Sequence, residues 1–447
     1  MRTSTEARPL RVARVALTRE QGRLAAQIQL VTNRQGRGDI EAERVDDLSR
    51  YGFSQAEGVK TADLELHVPQ DVVSWIADQH RCDGQLEAPE ERDPFWLHLV
   101  KPCAALGAVP WERFVQPAIE VPFLRLPDVL PEPQRRSSAF RVVLCLATGP
   151  QGLGESPSAV VRALLDGVGD TLQLHVFTDQ EDEAPLRGLL RDLRVPALTV
   201  HRSSAGMDTE QYGSENPWLS WIQRELAEHT VDAVHFVAHG CALGDEGAIL
   251  TGGSPGSPGA RHTHVVQSGA LRDFLIRLGA LAVGFTRPPG NRSDYGLWRL
   301  VDDLGSMRAG PVLLHDPAEA REVNDLAQGY RFLSSAVPAR PPASPHLVIF
   351  AHPAQVADFD LTRDVQELID MFRPSPEVRT EFAREGTPGW ISTAQRYIEQ
   401  SEAELARFKR SSGQRVTSET EIAFQQGRQV ALERIRAVIH RHTENHR

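Results

Sequence analysis

Six short apolar runs recur between residues 140 and 351: FRVVLCLA (140 to 147), TLQLHVF (171 to 177), VDAVHFVA (231 to 238), GALAVGFT (279 to 286), GPVLLH (310 to 315) and HLVIFA (346 to 351). Each is apolar on both of its faces, and helical periodicity fills the intervals at 157–167, 184–193, 217–228, 268–278, 294–308 and 319–335. Strands apolar on both faces must be covered on both sides, and parallel neighbours need long crossovers. The pattern therefore predicts an α/β fold, a mostly parallel six-stranded sheet with helices on each face. Chemistry in such a sheet belongs at the carboxyl ends of its strands.

The flanks read differently. LRVARVALTREQGRLAAQIQLV, from Leu10, forms two strand-like segments around a polar turn with Gly22, and DLELHV (63 to 68) and FWLHLV (95 to 100) continue the alternation. A small α+β, β-rich N-terminal part is expected over 1–130. It joins the core, 131–355, through the Pro-rich RLPDVLPEPQRRSSAF. Beyond it, in 356–447, WISTAQRYIEQSEAELARF and SETEIAFQQGRQVALERIRAVIH read as two amphipathic helices split by KRSSGQ, a helical hairpin that packs on the core or docks a partner.

Charge narrows the function classes. With 60 Asp and Glu against 49 Lys and Arg, the chain is acidic, which argues against coating nucleic acid or an anionic membrane. No run of 18 apolar residues occurs and MRTSTEARPL lacks a signal-peptide core, so a cytoplasmic protein is expected. Cys82, Cys103, Cys145 and Cys241 form no CxxC pair, which points to neither a disulfide framework nor a four-cysteine zinc site.

The most informative stretch is VDAVHFVAHGCALGDEG. His239 stands where its strand ends, and Gly240 lets the chain turn away. An imidazole at such an edge can move protons near neutral pH. HFVAHG, preceded by the helix WLSWIQRELAEH, resembles the His-Gly signature of CHAT domains, the bacterial caspase-like peptidases of clan CD. A second block, FWLHLVKPCAALGAVPWERF followed by VPFLRLPDVL, is similar to the Pro-Trp-Glu and arginine segment that precedes the CHAT core. The resemblance spans about residues 95 to 351.

The resemblance implies a cysteine endopeptidase fold. A histidine would follow the third core strand and a cysteine the fourth, with backbone amides, Gly240 among them, binding the oxyanion. His239 and Gly240 match. Thr286, Arg287 and Pro288 occupy the window where the cysteine belongs, and no cysteine follows Cys241. The leading expectation is thus a pseudopeptidase, a regulatory or scaffold component of a bacterial defence or signalling system that binds a protein partner or peptide and needs no cofactor.

Alternatives come from the residues themselves. Cys241 lies two positions after His239 and is the candidate thiol of an active peptidase switched on by a partner. The Thr286 hydroxyl is a weaker nucleophile, and Cys145 reads as a buried apolar residue. Trp111 and Glu112 are either a packing anchor or part of a substrate pocket. His235, His239, His262 and His264 could meet around a metal, but ligand spacing is absent and none is assigned. GPQGLGESPSAV, 149 to 160, reads as a βα turn, although a phosphate loop would sit there in a ligand-sensing module.

Overall fold

The computed structural model describes residues 8–20, 23–34, 37–53, 66–83, 93–101, 103–127, 139–146, 156–178, parts of 186–202, 216–227, 229–243, 246–253, 255, 263–288, 295–308, 310–317 and 323–357, with isolated positions between 398 and 436. The N-terminal part contains β1 (Leu10–Glu20), β2 (Arg23–Arg34), β3 (Arg37–Asp47), α1 (Gln70–Asp83), β4 (Phe95–Leu99), α2 (Trp111–Ile119) and β5 (Phe123–Arg125). Then follow β6 (Phe140–Leu146), α3 (Ser156–Val168), β7 (Leu172–Thr178), β8 (Ala197–His201), α4 (Pro217–Glu225), β9 (Ala233–Val237), β10 (His239–Leu243), β11 (Glu246–Thr251) and β12 (His264–Gln267). The remaining elements are α5 (Ser268–Leu278), β13 (Ala282–Thr286), α6 (Tyr295–Met307), β14 (Val312–His315), α7 (Val323–Ser334) and β15 (Leu347–Phe350).

Twelve strands form one sheet in the order β3-β2-β1-β4-β5-β15-β14-β13-β9-β6-β7-β8, while β10, β11 and β12 form a separate antiparallel sheet. Eight of the eleven neighbour pairings in the large sheet are parallel and three antiparallel. The α/β class and mostly parallel character match the apolar runs, but the sheet is twice the expected width. The N-terminal strands continue the core sheet edge to edge instead of building a sheet of their own. β3, β5 and β8 carry too few apolar residues, or are too short, to announce themselves, and the described part of DLELHV is not a strand. The helical hairpin of 356–447 lies almost wholly outside the described residues.

Strand alternation sorts the core side chains. On β6 and β9, Val142, Leu144, Ala233 and Val237 join one apolar cluster with residues of α3 and α7. Val143, Cys145, Val234 and Phe236 join the opposite cluster with α4, α5 and α6. α4 starts cleanly because the Asn216 side chain accepts from the Trp218 and Leu219 amides and Pro217 needs no amide of its own. α5 ends where Gly279 takes a left-handed conformation, φ 67°.

The small sheet rests on α6 through three glycines. A Cβ at Gly240 would stand 2.4 Å from the Leu297 nitrogen, one at Gly247 2.1 Å from the Leu300 nitrogen, and one at Gly296 2.2 Å from the Cys241 carbonyl. Gly240 is therefore not a sharp-turn residue. It lies within β10 and serves close backbone approach. Gly240→Ala must push β10 off the helix and is expected to cost about 1–3 kcal/mol; urea unfolding measures this, and an unchanged midpoint would contradict the contact.

Candidate functional site

β9 and β13 are parallel neighbours, with Thr286 opposite Val237. The pairing extends one step further, where the Ala238 amide donates to the Thr286 carbonyl at 3.2 Å. His239 follows at once, so the histidine edge and the 286–288 window do meet at one rim of the sheet. His239 is buried and opens β10 instead of closing β9.

The side chains pair otherwise than the sequence implied. Register puts Thr286 on the same face as His235, and His235 Nε2 lies 3.0 Å from Thr286 Oγ1. The Tyr330 hydroxyl is 2.6 Å from His235 Nδ1, and Thr286 Oγ1 is 3.4 Å from His315 Nδ1. This chain of polar groups is sealed under α7, and Gly284 makes room for it: a Cβ there would lie 2.6 Å from His235 Nδ1. Burial, with His315 adding repulsion, drops the His235 pKa from 6.5 to about 3. His235 is thus a neutral internal hydrogen-bonding group, and Thr286 is occupied by it.

Arg287 and Pro288 are equally committed. Arg287 Nε donates to Asp316 Oδ1 at 2.5 Å, and Arg113 ion-pairs with the same carboxylate. The Trp298 indole donates to Asp316 Oδ2 at 2.9 Å, and Pro288 is buried.

Of the described cysteines, Cys145 is packed inside the α4–α6 face, as a small apolar residue would be. Cys103 is buried 3.2 Å from Lys101 Nζ; burial nonetheless pushes its thiol up, the Asp302 charge adding to burial and Lys101 opposing it. Cys241 is half-buried on β10. Because Gly240 faces α6, alternation turns His239 and Cys241 together to the other face, about 6.6 Å apart along the strand. His239 and His235 do not share a strand.

Trp111 and Glu112 form an internal anchor. The Trp111 indole donates to the Leu106 carbonyl at 3.1 Å. Glu112 receives Arg125 Nε at 2.7 Å and Nη2 at 3.0 Å, with both residues buried. Arg125 also donates to the Gly107 carbonyl at 2.9 Å and approaches Asp302 at 3.7 Å, and Asp302 pairs with Lys101. Burial opposes the Asp302 charge, yet Lys101, Arg125 and Arg299 hold its pKa below the usual carboxylate value. The arginine segment following Pro-Trp-Glu was thus the sequence signal for the partner of Glu112.

Among the described residues, no group of three or more His, Cys, Asp or Glu side chains is arranged to hold a metal ion; His262 lies outside them. Nor, among them, is any helix long and apolar enough to cross a membrane. No protein-family model, curated protein or solved structure matches the chain.

Two outcomes follow. Glu112→Ala leaves Arg125 buried with its main counter-charge removed and is expected to cost about 3–5 kcal/mol in chemical unfolding. For His235, whose folded pKa lies below its unfolded one, stability is complete above pH 6.5 and falls towards about pH 3, because only the unfolded state takes up the proton. The loss approaches about 1.4 kcal/mol per pH unit. His235→Gln should flatten the dependence of unfolding free energy on pH between 7 and 5, and an unchanged slope would show that this ring is not held neutral.

Proposed function

We propose that this chain is a caspase-like, CHAT-related pseudopeptidase, a regulatory or scaffold protein of a bacterial defence or signalling system that engages a protein partner or peptide. One observation carries the reading: at the rim beside His239, each residue of the 286–288 window is committed to the interior. Thr286 bonds His235, Arg287 bonds Asp316, and Pro288 is buried. A nucleophile must be able to leave its resting bonds and reach a carbonyl. Here the hydroxyl is tied to a histidine on the covered face, under α7. The kinship itself rests on the His-Gly and Pro-Trp-Glu blocks and on the adjacency of the two strand ends.

The reading predicts that the purified chain, alone or with a captured partner, does not hydrolyse peptide libraries above the buffer rate, and that His239→Ala leaves partner capture intact. Hydrolysis that disappears in His239→Ala would overturn it.

One geometric fact favours a second reading. His239 and Cys241 share a face of β10 and Cys241 is half-buried, so side-chain rotations on that one strand would bring thiol and imidazole towards each other. If the protein is such a peptidase, an electrophilic peptide probe labels Cys241 and labelling vanishes in His239→Ala.

A further inference from the structure

The large sheet ends on one side in a long strand edge. β3 is its outermost strand, and among the described residues β2 is its one neighbour. Along its other side the backbone N–H and C=O groups point away from the sheet. Residues 38–41, 43 and 45 are exposed. Sheet edges are commonly blunted by shortness, lysine or proline, whereas β3 runs for 11 residues and contains neither lysine nor proline. Its one irregularity is a bulge opposite Leu30 and Val31, which leaves Ala42 to Asp47 in regular register.

This edge is also held in place. On the face towards α1, Ala42 packs against the apolar cluster that includes that helix. Arg44 pairs with Asp46 at 2.5 Å and with Asp71 of α1, which Arg50 binds as well. A fixed edge loses little freedom when another strand is added to it.

The outward side chains select what can pair. Register places Glu43 opposite Gln29 and Val45 opposite Gln27, on the face away from α1; Ile40, beyond the bulge and opposite Val31, shares that face. Ile40 is 57% exposed and Val45 37%. The strand therefore presents an acidic residue between two apolar ones, and Asp39 and Glu41 add two exposed carboxylates. In all, β3 carries five acidic residues and two arginines, one of which, Arg44, is engaged with Asp46 and Asp71. A second copy pairing here would set an acidic strand against itself, and like charges across a strand pair oppose one another. A segment alternating basic and apolar residues meets both features of the edge.

We propose that β3 receives an extended basic segment of a partner protein as an added strand, with lysines or arginines against Glu41 and Glu43 and apolar residues against Ile40 and Val45. The inference deepens the proposed function and rests on the part of it in which the chain engages a protein partner or peptide.

The test is fluorescence anisotropy of the full chain with a labelled nine-residue peptide alternating valine and lysine. Two controls accompany it: the same peptide with glutamate for lysine, and the same peptide with its amides N-methylated, which keeps the charges and removes the backbone donors. The lysine peptide is expected to bind, less tightly as salt is raised, and both controls to bind at least about tenfold more weakly. Glu41→Lys combined with Glu43→Lys should weaken the lysine peptide by a similar factor, with thermal unfolding unchanged because both positions are exposed. Failure of the lysine peptide to bind at about 1 mM, binding unaffected by N-methylation, or binding unaffected by the paired glutamate variant overturns the proposal. So does a dimer in sedimentation that the paired variant abolishes, since the edge would then belong to a second copy. His239-dependent hydrolysis, which overturns the pseudopeptidase reading, is followed separately by chromatography of the peptide, so the two failures are told apart.

Discussion

Arg125 holds the two halves of the sheet together. β5, which carries it, meets β15 through a single register pair, Phe350 with Arg125, and the Ala351 amide donates to the Arg125 carbonyl. So short a strand contact supplies few hydrogen bonds, and the join depends on the arginine side chain. Its guanidinium is buried and sits between Glu112 of α2 and Asp302 of α6, 5.5 Å from the Trp298 ring and 5.6 Å from that of Phe350. A buried cation is tolerated only when its donors are used, and Glu112 with the Gly107 and Val109 carbonyls accepts from them. The N-terminal strands are thereby fastened to the core at the end of β15 that pairs with Val312, away from the rim at Thr286 and His315.

The same rule of satisfied burial explains the rim between β9 and β13. A hydroxyl and two imidazoles enclosed there must find partners, and they find one another with Tyr330. The outcome is an internal chain in which burial keeps His235 neutral. Around it the charged groups close on themselves, Arg287 and Arg113 sharing Asp316. A reactive thiolate needs a nearby cation or dipole in a partly open setting. The one described thiol beside a lysine, Cys103, is buried in an ion cluster that burial dominates.

How far the sequence revealed this arrangement depended on the kind of signal. Runs buried on both faces, such as Phe140–Leu146 and Ala282–Thr286, marked their strands, because no other short segment carries so much unbroken apolar surface. The adjacency of the His239 and Thr286 edges was also legible. The partner of Thr286 was not: it turns on register, since a shift of one residue exchanges the faces. With Thr286 opposite Val237, its side chain shares a face with His235. His235 looks like a polar interruption in an apolar run, and only Tyr330, 95 positions away, explains it. The width of the sheet escaped for a similar reason, as β5 has three residues and is specified by the burial of Arg125 more than by local propensity.

α6 links these regions within one rigid element. Asp302 faces the seam, where Lys101 and Arg125 approach it, and a Cβ at Gly107 would fall 2.0 Å from its carboxylate. Asp303, the next residue, accepts the Gly247 amide of the small sheet and pairs with Arg299 at 3.2 Å; burial raises its pKa to about 6. Trp298, one turn earlier, donates to Asp316 at the rim. Gly296 lies against the Cys241 backbone. The hairpin that carries His239 and Cys241 is thus positioned by the helix that secures the N-terminal strands. Backbone contacts closer than a Cβ permits leave little room for sliding, so β10 can move relative to β13 only if α6 moves with it or the glycine contact opens.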